Sequence, residues 1–273
     1  MGLFCFKYLA ALYNMITLTD QTGRLITIQK FPSKIISVVP SQTELLHSLS
    51  LANETIGITK FCVHPNDWFK TKTRVGGTKT LNLPLIRSFK PDIIFANKEE
   101  NEELQVKELC HEFPVYISDI KILDDALKMI EDVGMLTNRS TQSNELIENI
   151  KINFTKLVPE KKIRTCYLIW QKPYMAAGGD TFINDMMKRC GLINVMADKN
   201  RYPQISIEEL NSLNCELLLL SSEPFPFKEK HIAEIKYWGF KGEILLVDGE
   251  MFSWYGSRLL KAPAYFQSLL NSF

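Results

Sequence analysis

None of the motifs that mark the common enzyme classes occurs in this chain: there is no G-x-S-x-G, P-loop, H-E-x-x-H or G-x-G-x-x-G. Those motifs supply an activated nucleophile, a phosphate cradle, a zinc site and a dinucleotide turn, so the sequence names no catalytic machinery and no cofactor. Excess charge is also missing. Lys and Arg number 32 against 31 Asp and Glu, so no global field draws the chain to nucleic acid, and any charge selectivity must be local. The six cysteines, Cys5, Cys62, Cys110, Cys166, Cys190 and Cys215, include no C-x-x-C pair. That excludes a zinc knuckle or a dense disulfide framework and leaves reduced, mostly structural thiols. No apolar run approaches the ~20 residues of a membrane span. The apolar Met1–Tyr13 segment is interrupted by Lys7, with no basic stretch before it and no small-residue cleavage site after it, which argues against a secretion signal. Residues 1–14 therefore read as an N-terminal extension or a mis-assigned start, and the expected location is the cytoplasm.

What is present is globular material, 45% hydrophobic and 23% charged over 273 residues, enough for two lobes of roughly 100–150 residues each. The most informative stretch is Ile35-Ile-Ser-Val-Val-Pro-Ser-Gln-Thr-Glu44, a β-branched run that breaks at Pro40 into a helix signal. Ser41 and Glu44 have the spacing of a capping box. The first turn of that helix would stand at the carboxyl end of a strand, where open α/β sheets keep their ligand crevices. Further strand-like runs follow at Thr55–Thr59, Ile93–Ala96, Val115–Ile117, Thr165–Trp170, Leu217–Ser221 and Ile244–Val247, separated by helical stretches. The alternation predicts an α/β fold with mainly parallel strands. Lys90–Phe95 and Asn214–Leu220 hold equivalent places in the two halves, so the lobes share a plan. Between them, residues 138–158 carry Leu146, Ile147, Ile150, Phe154, Leu157 and Val158 at helical spacing without Gly or Pro. One helix of about 30 Å is expected there. The expected organisation is an N-terminal lobe over 15–137, a connecting helix over 138–158 and a C-terminal lobe over 159–273.

Taken in order, Val38–Leu45, Arg74-Val-Gly-Gly-Thr78, Lys90-Pro-Asp-Ile-Ile94, the middle helix and Tyr202-Pro-Gln-Ile-Ser-Ile-Glu-Glu-Leu210 resemble the helical-backbone (class III) substrate-binding proteins of ABC importers. The similarity is nearest the cobalamin-binding branch, beside the siderophore and haem receptors, and runs from about Ile35 to the C-terminus. The resemblance implies two Rossmann-like lobes joined by a rigid helix, a metal chelate held in the cleft between the lobes, no catalysis, a monomer, and a periplasmic location as the alternative to the cytoplasm. Carried over by position, the ligand residues are Ser41, Gln42, Phe61, His64, Thr78, Lys79, Asn97, Lys98, Glu99 and Glu100 from the first lobe. The second lobe adds Trp170, Lys172, Tyr174, Arg201, Tyr202, Met251, Trp254 and Arg258. Aromatic faces with a few cations suit a flat, partly anionic ligand.

The chain departs from the family pattern at identifiable places. Thr78, Asn97 and Met251 stand where cobalamin binders place aromatics. The family presents one surface glutamate per lobe to arginines of a permease; Glu208 fits, but the other position is Pro84, so docking should be weakened. Pro84 suits the first position of a helix, where its missing N–H costs nothing. Glu99, Glu100 and His64 offer donors for direct metal ligation, against which first-turn acids are favoured by the helix dipole and adjacent helical residues do not face each other. Cys62 and His64 alternate and would share a face if extended. Gly178-Gly-Asp-Thr181 reads as a turn capping a helix near Phe182, with N–H groups within reach of a ligand. The alternative to a binding protein is a leaderless cytoplasmic enzyme or sensor that keeps the fold without docking to a permease.

Overall fold

The computed structural model describes residues 15–159 and 162–272; the expected extension over 1–14, with Cys5, lies outside them. The chain divides into two compact units. One holds the described residues up to Asp119 together with Asp125–Glu148, and the other holds Ile120–Asp124 and everything from Asn149 onward.

The first unit opens with an antiparallel hairpin, β1 (Ile16–Thr19) and β2 (Leu25–Ile28). The Asp20 carboxylate ties its turn by accepting from the backbone N–H groups of Thr22 and Arg24, both at 2.9 Å. Five parallel strands follow: β3 (Ile35–Ser37), β4 (Thr55–Ile58), β5 (Thr73–Arg74), β6 (Ile93–Asn97) and β7 (Val115–Ser118), in the order β5-β4-β3-β6-β7. Ile35, Ile36, Ile93, Ile94 and Phe95 are fully buried, as continuous apolar runs must be in a parallel sheet covered on both faces. Helices α1 (Pro40–Ser48), α2 (Asn66–Thr71), α3 (Leu83–Phe89) and α4 (Glu103–Cys110) supply the connections.

The predicted capping box does not form. Helix α1 starts two residues earlier, with Val39 in the cap position, Pro40 first and no side-chain cap bond. Proline's fixed φ is preorganised for a first helical turn and its missing N–H removes one orphan donor. Ser41 is thereby moved inside the helix. Helix α3 begins at Leu83 on an Asn82 cap that accepts from Leu85 N at 3.1 Å, so Pro84 is the second helical residue rather than the first.

Helices α5 (Leu123–Leu136) and α6 (Ser140–Thr155) meet at a turn with Asn138 at φ 57°. They approach closely at Gly134, where an added Cβ would lie 2.0 Å from Ser143 Oγ. The expected 138–158 helix is thus the 16-residue α6, about 24 Å long, and it begins in one unit and ends in the other.

The second unit is built on β8 (Ile163–Trp170), β10 (Leu192–Asn194), β11 (Leu217–Ser221) and β12 (Glu243–Val247), parallel in the order β10-β8-β11-β12, with β9 (Met175–Ala176) antiparallel on β8. Helices α7 (Phe182–Arg189), α8 (Ile207–Ser212), α9 (Glu229–Tyr237), α10 (Gly249–Ser253) and α11 (Ala262–Leu270), with a 3-10 turn at Ser257–Leu260, complete it. Its core includes Leu168, Leu218, Leu220, Ile235 and Phe240, and an aromatic cluster in which Phe252 packs 5.1 Å from Tyr167 and 4.6 Å from Phe266. Strands β5, β9 and β10, of two or three residues, carry too short a pattern to be read from sequence.

Candidate functional site

In the first unit the loops at the carboxyl ends of the strands are knitted by amides. Gln42, in the first turn of α1, donates to Ser118 Oγ at 2.6 Å and Ala96 O at 3.3 Å. Asn97, ending β6, donates to the same hydroxyl at 2.9 Å, and its carbonyl caps the next turn by accepting from Glu99 N and Glu100 N at 2.8 and 3.0 Å. Asn101 accepts from Asn97 N at 2.8 Å and donates to Val38 O and Thr78 O, both at 3.1 Å. Lys79 reaches Glu99 O at 2.6 Å and Asn101 O at 3.3 Å. Three of the five strand-end loops are therefore held through one asparagine. Among the described residues Ser41 Oγ and Gln42 Oε1, both buried, find no hydrogen-bond partner. Buried polar atoms left in that state are uncommon and mark a strained or functional position.

Phe61, after β4, is 51% exposed, with Lys60 Nζ 5.1 Å from its ring centre. The segment from Lys60 to His64 turns instead of extending. Cys62 is fully buried against Thr43 and Thr59, each at 3.1 Å, while His64 is half-buried in the loop before α2, so the two do not form the shared face expected of an extended strand. Burial pushes the Cys62 thiol above its ordinary range. Cys110, Cys166, Cys190 and Cys215 are likewise free, and all but the half-buried Cys110 are buried. Among the described residues no three His, Cys, Asp or Glu side chains form a group able to hold a metal ion; His64, Glu99 and Glu100 do not assemble one.

In the second unit Trp170 ends β8 at 40% exposure and meets Phe225 edge to face at 5.7 Å. Trp254 is placed differently. It is only 7% exposed; its indole N–H donates to Glu223 Oε1 at 2.8 Å, and the Arg258 guanidinium lies 4.9 Å over its ring. Ser253 Oγ donates to the same Glu223 oxygen at 2.7 Å. Arg258 is bound to Glu250 at 2.7 Å, and Met251 lies half-buried between these residues in sequence. Lys172 and Tyr174 line a surface groove of about 330 Å³ with Glu208, Glu234 and Trp238. Arg201 lies 5.8 Å over the Tyr202 ring, and its backbone N–H donates to Asp180 at 2.5 Å. Thr181 caps α7 by accepting from Asn184 N at 3.2 Å, as the glycine turn predicts. The glycine N–H groups, however, are not held open for a ligand: Gly178 N and Gly179 N bond Arg201 O and Lys199 O at 2.8 and 2.7 Å.

Sequence reasoning missed Glu223, Ser118 and Asp119. Each lies at or within two residues of the carboxyl end of a strand, as Asn97 does, and that position was the available signal. Burial raises the Glu223 pKa, with Glu250 and Asp248 adding like-charge repulsion and Ser253 and Trp254 opposing it; Tyr167 also lies within electrostatic range. A folded pKa above the unfolded value of about 4.3 means that Glu223 favours folding in acid and loses that contribution as pH rises through the folded pKa. Glu223→Gln removes the charge and keeps an acceptor. It is expected to be more stable than the parent above that pKa, with the difference vanishing at low pH. Urea unfolding at several pH values checks this; a deficit in the variant that is equal at all pH values contradicts it.

A model of the family described as periplasmic binding protein matches residues 35–236. An uncharacterized ABC transporter substrate-binding lipoprotein of Bacillus subtilis is 23% identical over 75% of this chain and 68% of its own length. A vitamin B12-binding protein of Vibrio cholerae is 25% identical over 66% of this chain and 67% of its own. Among solved structures, a Staphylococcus epidermidis protein described as a possible iron-binding, periplasmic solute-binding protein superposes with a TM-score of 0.75 at 26% identity, over 89% of this chain and 98% of that one.

Proposed function

This chain belongs to the periplasmic binding protein family, and from that premise we propose that it captures a metal chelate of the cobalamin, siderophore or haem kind for an ABC-type uptake system. It is a substrate-binding protein and not an enzyme; the alternative of a cytoplasmic enzyme or sensor has no support in a set of relatives that are binding proteins. The observation that carries the ligand site is the exposure of two large aromatics, Phe61 and Trp170, each at the carboxyl end of a strand of its own unit. Exposed aromatic surface at a strand-end crevice is what a flat apolar chelate would cover. The buried Ser41 Oγ and Gln42 Oε1, in the helix turn after β3 and without a partner among the described residues, favour a ligand with polar edges. Titrating the purified protein with cyanocobalamin, haemin and a ferric hydroxamate while following tryptophan emission tests the assignment; no quenching by any of them would overturn it.

The expectation of a cytoplasmic location has no support, because the family is periplasmic and one relative is a lipoprotein. Among the described residues no helix is long and apolar enough to cross a membrane. We place the protein outside the cytoplasmic membrane, to be checked by fractionating the native host.

For the permease partner, Glu208 is the docking carboxylate. It is exposed in the first turn of α8, beside a capping box in which Ser206 accepts from Glu209 N at 3.2 Å and Ser206 N donates to Glu209 at 2.8 Å. Pro84, exposed on α3, supplies no second one, and a single surface ion pair contributes only about 0–1 kcal/mol. Pro84→Glu is expected to strengthen docking to a reconstituted permease at low salt without altering ligand affinity, since an acid in a first helical turn is also favoured by the dipole. Tight, Glu208-dependent docking by the unmodified protein would contradict this.

A further inference from the structure

We propose that the chelate carried by this protein has no net negative charge. This rests on the reading of the strand-end loops as the ligand site, and it reverses the expectation of a basic, anion-gripping surface. Of the five cations that reading assigns to the ligand, two are held in ion pairs. Lys98 Nζ lies 2.6 Å from Asp119 Oδ2. Arg258 lies 2.7 Å from Glu250, with both side chains largely buried, at 9% and 17% exposure. Lys172 lines a groove that also holds Glu208 and Glu234, and Asp180 accepts from the Arg201 backbone N–H. A third, Lys79, is spent on two backbone carbonyls.

An anionic ligand seeking Arg258 would have to displace Glu250 and leave that carboxylate in a partly desolvated place, next to Glu223 and Asp248. Stranding a buried charge costs more than the new contact returns. A neutral chelate meets no such conflict: aromatic faces cover its apolar surface, and amides and hydroxyls meet its polar edges. Selectivity against anions thus comes from Asp119 and Glu250, which already occupy Lys98 and Arg258.

The test uses the full chain and four probes of known charge: cyanocobalamin and a neutral ferric trishydroxamate, against haemin with its two propionates and a ferric triscatecholate with three negative charges. One of the neutral probes should bind roughly tenfold or more tighter than either anion, with affinity almost flat in salt, because a neutral ligand brings no charge for salt to screen. Glu250→Gln, which removes the carboxylate 2.7 Å from Arg258, should raise affinity for the triscatecholate roughly tenfold and leave the neutral probe unchanged. Asp119→Asn, which frees Lys98, gives the same reading if the first variant fails to fold by circular dichroism. An anionic probe that binds tightest, weakens steeply with salt and loses affinity in Lys98→Ala would overturn the proposal while leaving the ligand site in place. No binding by any probe would overturn the site and the proposal together.

Discussion

Asn101→Ala is expected to cost the first unit about 3 kcal/mol or more, since it strands the buried N–H of Asn97 and the carbonyls of Val38 and Thr78, and an unsatisfied buried polar group costs about 1–3 kcal/mol each. Those three groups lie after β3, after β5 and at the end of β6, so the loss is one of register among strand ends as well as of energy. Asn101→Asp keeps the acceptor facing Asn97 N and loses both donated bonds, and should fall between alanine and the parent. Urea unfolding read at Trp68, the tryptophan of the first unit, separates this effect from unfolding of the second, where Trp170, Trp238 and Trp254 lie. A loss below about 1 kcal/mol would show that the loops are held by other contacts.

Trp170→Ala is expected to weaken chelate binding by about 1–3 kcal/mol, the usual effect of deleting an aromatic anchor from an interface, with little change in stability because the ring is 40% exposed. Trp254→Ala should behave differently. Its indole is enclosed and is one of two donors to the buried Glu223 carboxylate, so truncation should lower stability and affinity together. Calorimetric titration and urea unfolding of both variants check the contrast. Parent-like affinity in a folded Trp170→Ala would remove that residue from the site.

Much of the fold is legible along the chain. The runs at Ile35, Thr55, Ile93, Val115, Thr165, Leu217 and Ile244 all became parallel strands, because a strand buried on both faces needs an unbroken apolar run and a turn-forming boundary. The α6 helix and the Thr181 cap followed from equally local signals. The Ser41–Glu44 box failed for a reason that is also local: Pro40 took the first helical position and pushed the serine inside. The aromatics of the candidate site were legible as residue types and not as environments. Trp170 ends β8 at the surface, whereas Trp254 follows α10 and is fastened by Glu223 and Arg258.

The sequence by itself determined the α/β alternation, the two-unit plan and the family, since each depends on periodicity and turn chemistry within short windows. Only the tertiary structure decided what the polar groups do. Gln42 meets Ser118 across 76 residues because the strand order places β7 one strand beyond β6, and Lys98 meets Asp119 for the same reason. Whether a lysine or arginine can grip a ligand depends on the carboxylate folded against it, and that partner is chosen by strand order and loop packing, which no local pattern encodes.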